Sequence, residues 1–244
     1  MRKYLVGLSS IGLIFIIWAI YAQSVANPYI LPGPGVTIEY LGQLLTDLET
    51  YKTIFLTLFR LFIAFILSLS MAVILGVFAG NKDIVDEFLH PITSMLRSLP
   101  IASIIIIIII IFGNQTSLYI ITFLMIFPIT YEATKAGVKN IDQSIKDALA
   151  LEGLPKWKLI IFVQLPLAYP FISTAITQSL GLGFKVIVMA EFISQSRSGI
   201  GRALKDGSIS IDYQAVFAWT LIIIFIVIIF ESLLNIIKRK AYLT

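Results

Sequence analysis

From Ser98 to Tyr131 the chain runs for 34 residues without a charged side chain. About 20 predominantly apolar residues cross the hydrocarbon layer of a bilayer, so a run this long belongs in lipid. It is too long for one crossing, and Gly113-Asn114-Gln115 interrupts it. The run therefore predicts two spans, about 98–112 and 117–131. The first holds eight consecutive isoleucines, Ile104–Ile111, and is short enough to borrow flanking residues.

The rest of the sequence agrees. Only 13% of the residues are charged, against roughly 25% in soluble domains, and 58% are hydrophobic, giving a mean hydropathy of +0.95. A 27.2 kDa globule in water cannot hide that much apolar surface, so lipid is part of the solvent. Further spans fall at about 4–22, 53–80, 167–193 and 213–237. Arg2-Lys3, an apolar run and Ser24-Val25-Ala26 resemble a cleaved signal peptide, but Tyr4–Ala22 is long enough to span and is read as a retained first helix. The expected fold is one all-α polytopic membrane domain, residues 1–244, with six transmembrane helices.

Lysine and arginine in the loops set orientation. With the N-terminus inside, twelve of the eighteen positive residues are cytoplasmic, four are outside, and Arg60 and Lys185 lie within spans. Both termini are then cytoplasmic, as is loop 132–166. The net charge of +4 is dispersed over span ends, which is no nucleic-acid signal. There is no cysteine, and the single histidine, His90, sits in a charged loop with Asp83, Asp86 and Glu87, so no metal site is expected. Outside, Ile30–Gly35 (ILPGPG) reads as a rigid turn, and Ile38, Leu41, Leu44, Leu45 and Leu48 recur at the spacing of a short amphipathic helix.

Loop 132–166 is unusual in being half apolar. Asn140 suits a helix N-cap, Gly153 a C-terminal cap, and a second short helix can start after Leu154-Pro155. Ala148, Leu149, Ala150, Leu151, Leu154 and Trp157 leave an apolar side that nothing in the loop covers. A solvated connection is the bland reading; a docking surface accounts better for the apolar side.

Here the spacing resembles a known family. Asp147-Ala148-Leu149, three residues, Gly153, nine residues and Val163-Gln164-Leu165-Pro166 is similar to the cytoplasmic EAA loop of ABC importer permeases, with conservative departures. LPGPGVTIEYLGQLL, RSLPIASIIIIIIIIFGNQ and MAEFISQSRSGIGRALKDG resemble segments of the nitrate/sulfonate/taurine-like group. The resemblance implies a type I importer permease fold and an inner-membrane location. It implies that Asp147, Ala148, Leu149 and Gly153 form the contact with ATP-binding cassette subunits, with Leu165 and Pro166 anchoring the exit. It also implies an extracytoplasmic solute-binding protein and a second permease copy as partners. The substrate it implies is a small solute: a sulfonate, taurine, a nitrate-like anion, or a thiamine-precursor or riboflavin-like compound. The chain has no G-x-x-x-x-G-K-[ST] phosphate loop, so ATP and Mg belong to a separate ATPase and no cofactor or catalytic residue is expected here.

Charges inside spans are expensive and call for a partner or a pathway. Lys185 is open to two readings: it neutralises a buried acceptor in a neighbouring span, or it faces the translocation path. Glu191 lies about 9 Å further along the same helix; it is open to lining the same path, or, at the position that resembles the family's Ala-Glu pair, to a structural role at the outer mouth. Gln178, with Thr174 and Ser179, adds polar groups to the same span. Gly181 and Gly183 thin that helix and admit another backbone. The alternative function, a self-sufficient secondary transporter, needs coupling-ion carboxylates in the spans, and Glu191 and Glu231 are the only ones on offer.

Overall fold

The computed structural model describes residues 2–145 and 155–241, and among them every regular element is helical. The helices are α1 (Arg2–Val25), α2 (Pro34–Thr46), α3 (Leu48–Asn81), α4 (Asp83–Ser98), α5 (Ile101–Lys139), α6 (Lys156–Ser194), α7 (Ile200–Ile209) and α8 (Tyr213–Ala241). Four stretches are long and apolar enough to cross a membrane: Leu48–Asn81, Ile101–Lys139, Lys156–Ser194 and Tyr213–Leu234. Ser9–Val25 is a shorter apolar helix within α1. The six-span expectation is thus met at the level of an all-helical, multiply spanning fold.

The expected break in the long uncharged run is at Gly113, whose φ of 74° and ψ of 171° are closed to side-chain-bearing residues. The chain folds back there. Ile104 and Ile105 share a core cluster with Leu118, Ile121 and Met125, with Ile101, Ile108 and Ile109 packed against it. On a straight helix, Ile101 and Met125 would stand about 36 Å apart at 1.5 Å per residue. The reversal carries α4 along the same partner: Lys139 and Lys135 of α5 bind Asp86 at 2.8 Å each, and Val85, Leu89 and Leu96 pack near Phe127 and Tyr131. So α4 and residues 101–112 run in series, antiparallel to residues 114–139, with Leu99-Pro100 as the joint.

Three expectations are corrected. Asp83, Asp86, Glu87 and His90 lie on a helix, not in a loop, because α4 has an apolar side that α5 covers. Asn140 is the C-cap of α5, its N–H bonded to the Ala136 carbonyl, rather than an N-cap. The helix begun at Lys156 does not stop at Pro166 but runs on as α6. A π turn at Ile160–Gln164, closed by the Leu165 N–H on the Ile160 carbonyl, widens the helix just before the proline, which supplies no N–H and crowds the preceding turn. The predicted amphipathic helix at the ILPGPG turn is α2, and Leu41 and Leu44 are the residues it turns to the core.

The main core gathers Leu61 and Phe65 of α3, Ile126 of α5, Phe184, Ile187 and Val188 of α6, Ile200 of α7 and Trp219, Ile222 and Ile226 of α8. Gly183 lets α6 close on this core, since a Cβ there would lie 2.6 Å from Ile126 Cδ1. Much of the outer surface is apolar, as lipid contact requires: Phe62, Ile110 and Phe225 are all more than 60% exposed. The first helix is tied on by Trp18, whose indole N–H donates to the Pro32 carbonyl and whose ring stacks on Phe217.

Candidate functional site

Three groups of polar residues stand out in this apolar frame. The first is a buried cluster where α3, α6 and the start of α7 meet. Glu191, with no exposed surface, receives a hydrogen bond from Arg60 Nη1 at 2.6 Å. Thr57 Oγ1 reaches both of its oxygens, at 3.1 and 2.9 Å, and the Gly201 N–H donates at 3.0 Å. Thr57 Oγ1 also accepts from the Ile200 N–H. Arg60 also donates twice to Ser198, to the carbonyl at 2.7 Å and to Oγ at 3.0 Å. Burial of two charges is tolerable only when pairing and hydrogen bonds are this complete.

The backbone is shaped around that carboxylate. Gly199 has φ 120°, and a Cβ on it would fall 2.3 Å from Glu191 Oε1. The Ser198-Gly199-Ile200-Gly201 segment therefore wraps Glu191 and starts α7 on it. The cluster is a latch between three elements, with no open position for a reacting group. Arg60 and Glu191 were singled out by their charge, but their pairing, Thr57 and Gly201 were not. The legible hints were Thr57 one turn before Arg60, and two glycines spaced around Ile200.

The second group is a stripe on α6. Thr174, Gln178 and Lys185 are exposed at helical spacing, so the structure brings Gln178 and Lys185 onto one face and leaves Glu191 inside. Ser179 is off the stripe, buried and bonded to Thr130 at 3.0 Å. Two clefts of about 390 and 380 Å³ follow the stripe: one lined by Pro170, Thr174 and Gln178 with Ala133 of α5, the other by Thr177, Gln178, Gly181 and Lys185 with Glu231 of α8.

The third group lies at the opposite end of the bundle from the latch, where α3 and α5 end and α6 begins. Asp147, Ala148, Leu149 and Gly153 fall outside the described residues. Leu165 is half-buried against Val77, Val138, Ala168 and Ile172, and Pro166 is exposed beside it. Asn81 and Gln164 exchange two amide hydrogen bonds, at 2.9 and 2.8 Å, clamping the end of α3 to the π turn of α6. Lys135 and Lys139 hold α4 to the last turns of α5 through Asp83 and Asp86, and Thr93 of α4 donates to Glu132 of α5. Burial alone would raise the Asp86 carboxyl, but hydrogen bonds from the two lysines hold it below the ordinary range. Among the described residues no group of acidic, histidine or cysteine side chains is arranged to hold a metal.

Comparison with known proteins supplies the frame for these features. Residues 72–241 match the family model described as binding-protein-dependent transport system inner membrane component. The taurine transport system permease protein TauC of Escherichia coli is 26% identical over 229 residues, covering 91% of this chain and 83% of that protein. A Bacillus subtilis permease protein assigned to aliphatic sulfonates, SsuC, is 25% identical over 96% of this chain and 85% of its own length. The bicarbonate transport system permease protein CmpB of Synechocystis is 29% identical over 54% of this chain and 47% of its own. With the family model covering more than half of its length, the chain belongs to the inner membrane components of binding-protein-dependent transport systems, and is a transport permease of the multi-pass membrane type.

Proposed function

We propose that this chain is the permease half of an ATP-driven importer that works as a pair of identical copies. It crosses the membrane six times, with both termini in the cytoplasm. In this reading α1, α3, α6 and α8 each make a crossing, and the hairpin at Gly113 makes two, its first arm being residues 101–112 extended by the end of α4. Separate ATPase subunits hold ATP and Mg and dock on Asp147, Ala148, Leu149 and Gly153. Leu165, Pro166 and the Asn81–Gln164 clamp pass their movement into α3 and α6. An extracytoplasmic binding protein delivers the solute, which moves along the α6 stripe of Thr174, Gln178 and Lys185. Glu191 serves this path from behind, by fixing the outer ends of α3, α6 and α7 to one another. The relatives named for taurine, sulfonates and bicarbonate favour a small charged solute.

The observation that carries the reading is the exposed polar stripe on a helix otherwise built for lipid. Polar and charged groups on a span face lipid only at high cost, so a second copy or an aqueous path must cover them. ATP does work on that path by binding one global conformation better than the other, which shifts the population of the coupled spans. Deleting residues 147–153 from the complete transporter tests this. ATP-driven uptake into membrane vesicles should vanish while the chain remains in the membrane; undiminished uptake would refute the coupling role.

A further inference from the structure

We propose that the cytoplasmic half of the chain holds an open aqueous cleft between α4 and α6, and that Arg97 gives this cleft a preference for anions. The proposal rests on the importer reading, which puts this end of the bundle at the cytoplasm.

The cleft follows from the bend between α4 and residues 101–112. Beyond the bend, Ile104 and Ile105 share a core cluster with Leu118 and Ile121 of α5 and with Val186 and Ala190 of α6. Leu99 and Pro100 are extended, with ψ of 137° and 128°, and α4 on the near side takes another course. Its Val85, Leu89 and Leu96 pack beside Phe127 and Tyr131 with Ala72, Leu75 and Ala79 of α3. Among the described residues no core cluster, hydrogen bond or ion pair joins α4 to α6. Two helices that share α5 but diverge at the joint leave a strip of α5 uncovered between them. Ile129, Ala133 and Ala136 on that strip are only half-buried, and Ala133 opens on the cleft of about 390 Å³ beside Thr174 and Gln178.

The helical wheel fixes which side of α4 meets the strip. Past the leucine side come Asp86 and Thr93, which bind Lys135, Lys139 and Glu132 of α5. Arg97 and Ser94 follow, about 40° and 100° further round than Thr93. On α5 the order after Glu132 is Ala136, Ile129 and Ala133, so both helices turn these residues to the same gap. Depth agrees as well. Arg97 lies one turn, about 6 Å, beyond Thr93 toward the bundle centre, level with Ile129. The neighbouring Thr130 bonds Ser179 of α6 at 3.0 Å, so Gln178 stands at that depth too. The remaining side of α4 carries Ile84, Phe88, Ile92 and Met95, all exposed, as lipid contact requires.

Arg97 is exposed, and among the described residues it makes no ion pair. Arg60, by contrast, is buried and matched to Glu191. An uncompensated guanidinium in a cleft with apolar walls concentrates anions there, because low-dielectric walls focus its field.

The chain contains no cysteine, so single introduced cysteines report on it without background. The permease with its ATPase subunits is placed in inside-out membrane vesicles. Modification rates are measured with two methanethiosulfonates, one carrying an anionic sulfonate and one a cationic trimethylammonium group. Ser94→Cys and Gln178→Cys should react readily, and Phe88→Cys and Met95→Cys far more slowly, since lipid covers them. At Ser94→Cys, adding Arg97→Gln should lower the anionic-to-cationic rate ratio roughly fivefold, and Arg97→Lys should keep most of it. The ratio compares two reagents on one molecule, so a loss of folded protein does not imitate the shift. Equal reaction on both sides of α4, no reaction at Ser94→Cys, or a ratio indifferent to Arg97→Gln overturns the proposal. If the expected pattern appears but the intact transporter shows no ATP-driven uptake, the cleft stands and the importer reading beneath it falls.

Discussion

Glu191 illustrates how a side chain too costly for its surroundings becomes a joint. Its carboxylate is buried, so its stability depends on Arg60, Thr57 and the Gly201 amide. Replacing Glu191 by Gln leaves Arg60 buried without a counter-charge, a loss of about 3–5 kcal/mol. The purified Glu191→Gln chain should therefore unfold at a clearly lower temperature, and Arg60→Met combined with Glu191→Met should recover much of the difference. A single variant as stable as the parent would show that the pair holds nothing together. The sequence marked both residues as needing partners, because each charge lies in an apolar run. It could not match them, since 131 positions separate them and no periodicity spans that distance.

At the scale of elements, legibility followed the strength of the repeating pattern. The spans were readable from runs of apolar residues, and the break at Gly113 from a Gly-Asn-Gln interruption. Helix α4 was missed because its acids and Pro91 dominate the reading, although Val85, Leu89 and Leu96 keep helical spacing. Its charges are structural: Asp86 is shared by Lys135 and Lys139. The folded pKa of Asp86 is depressed. Its contribution is therefore present above the unfolded value, near about 3.9, and is lost as pH falls through the folded value. Thermal stability should change little from about pH 7 to 5 on this account and decline below about pH 4. Asp86→Asn should lower the unfolding temperature at neutral pH and flatten that acid decline. An unchanged acid profile in the variant would remove Asp86 from the clamp.

For the whole molecule, family membership was legible in the Gly153 and Leu165-Pro166 spacing, while the arrangement of the polar stripe on α6 was not. The side of α6 that carries Gln178 and Lys185 became clear only once Ser179 and Glu191 were seen to point into the bundle. The polar stripe on an otherwise apolar surface leads to a prediction about assembly. Native mass measurement of the purified transporter should find two copies of this chain per particle. A particle with a single copy, still active in ATP-driven uptake, would contradict the paired arrangement.

The wide sequence separation of the Arg60–Glu191 latch also bears on how the chain is made. The α4–α5 clamp joins residues only 49–56 apart, so it can close while synthesis continues. Arg60 must wait for a partner 131 residues downstream. At about 5–20 residues per second, the arginine spends on the order of ten seconds in or near the membrane unmatched. A chain that stalls or is cut before residue 191 never resolves that charge. The latch thus doubles as a marker of completion: full-length chains bury their arginine, and truncated ones display it.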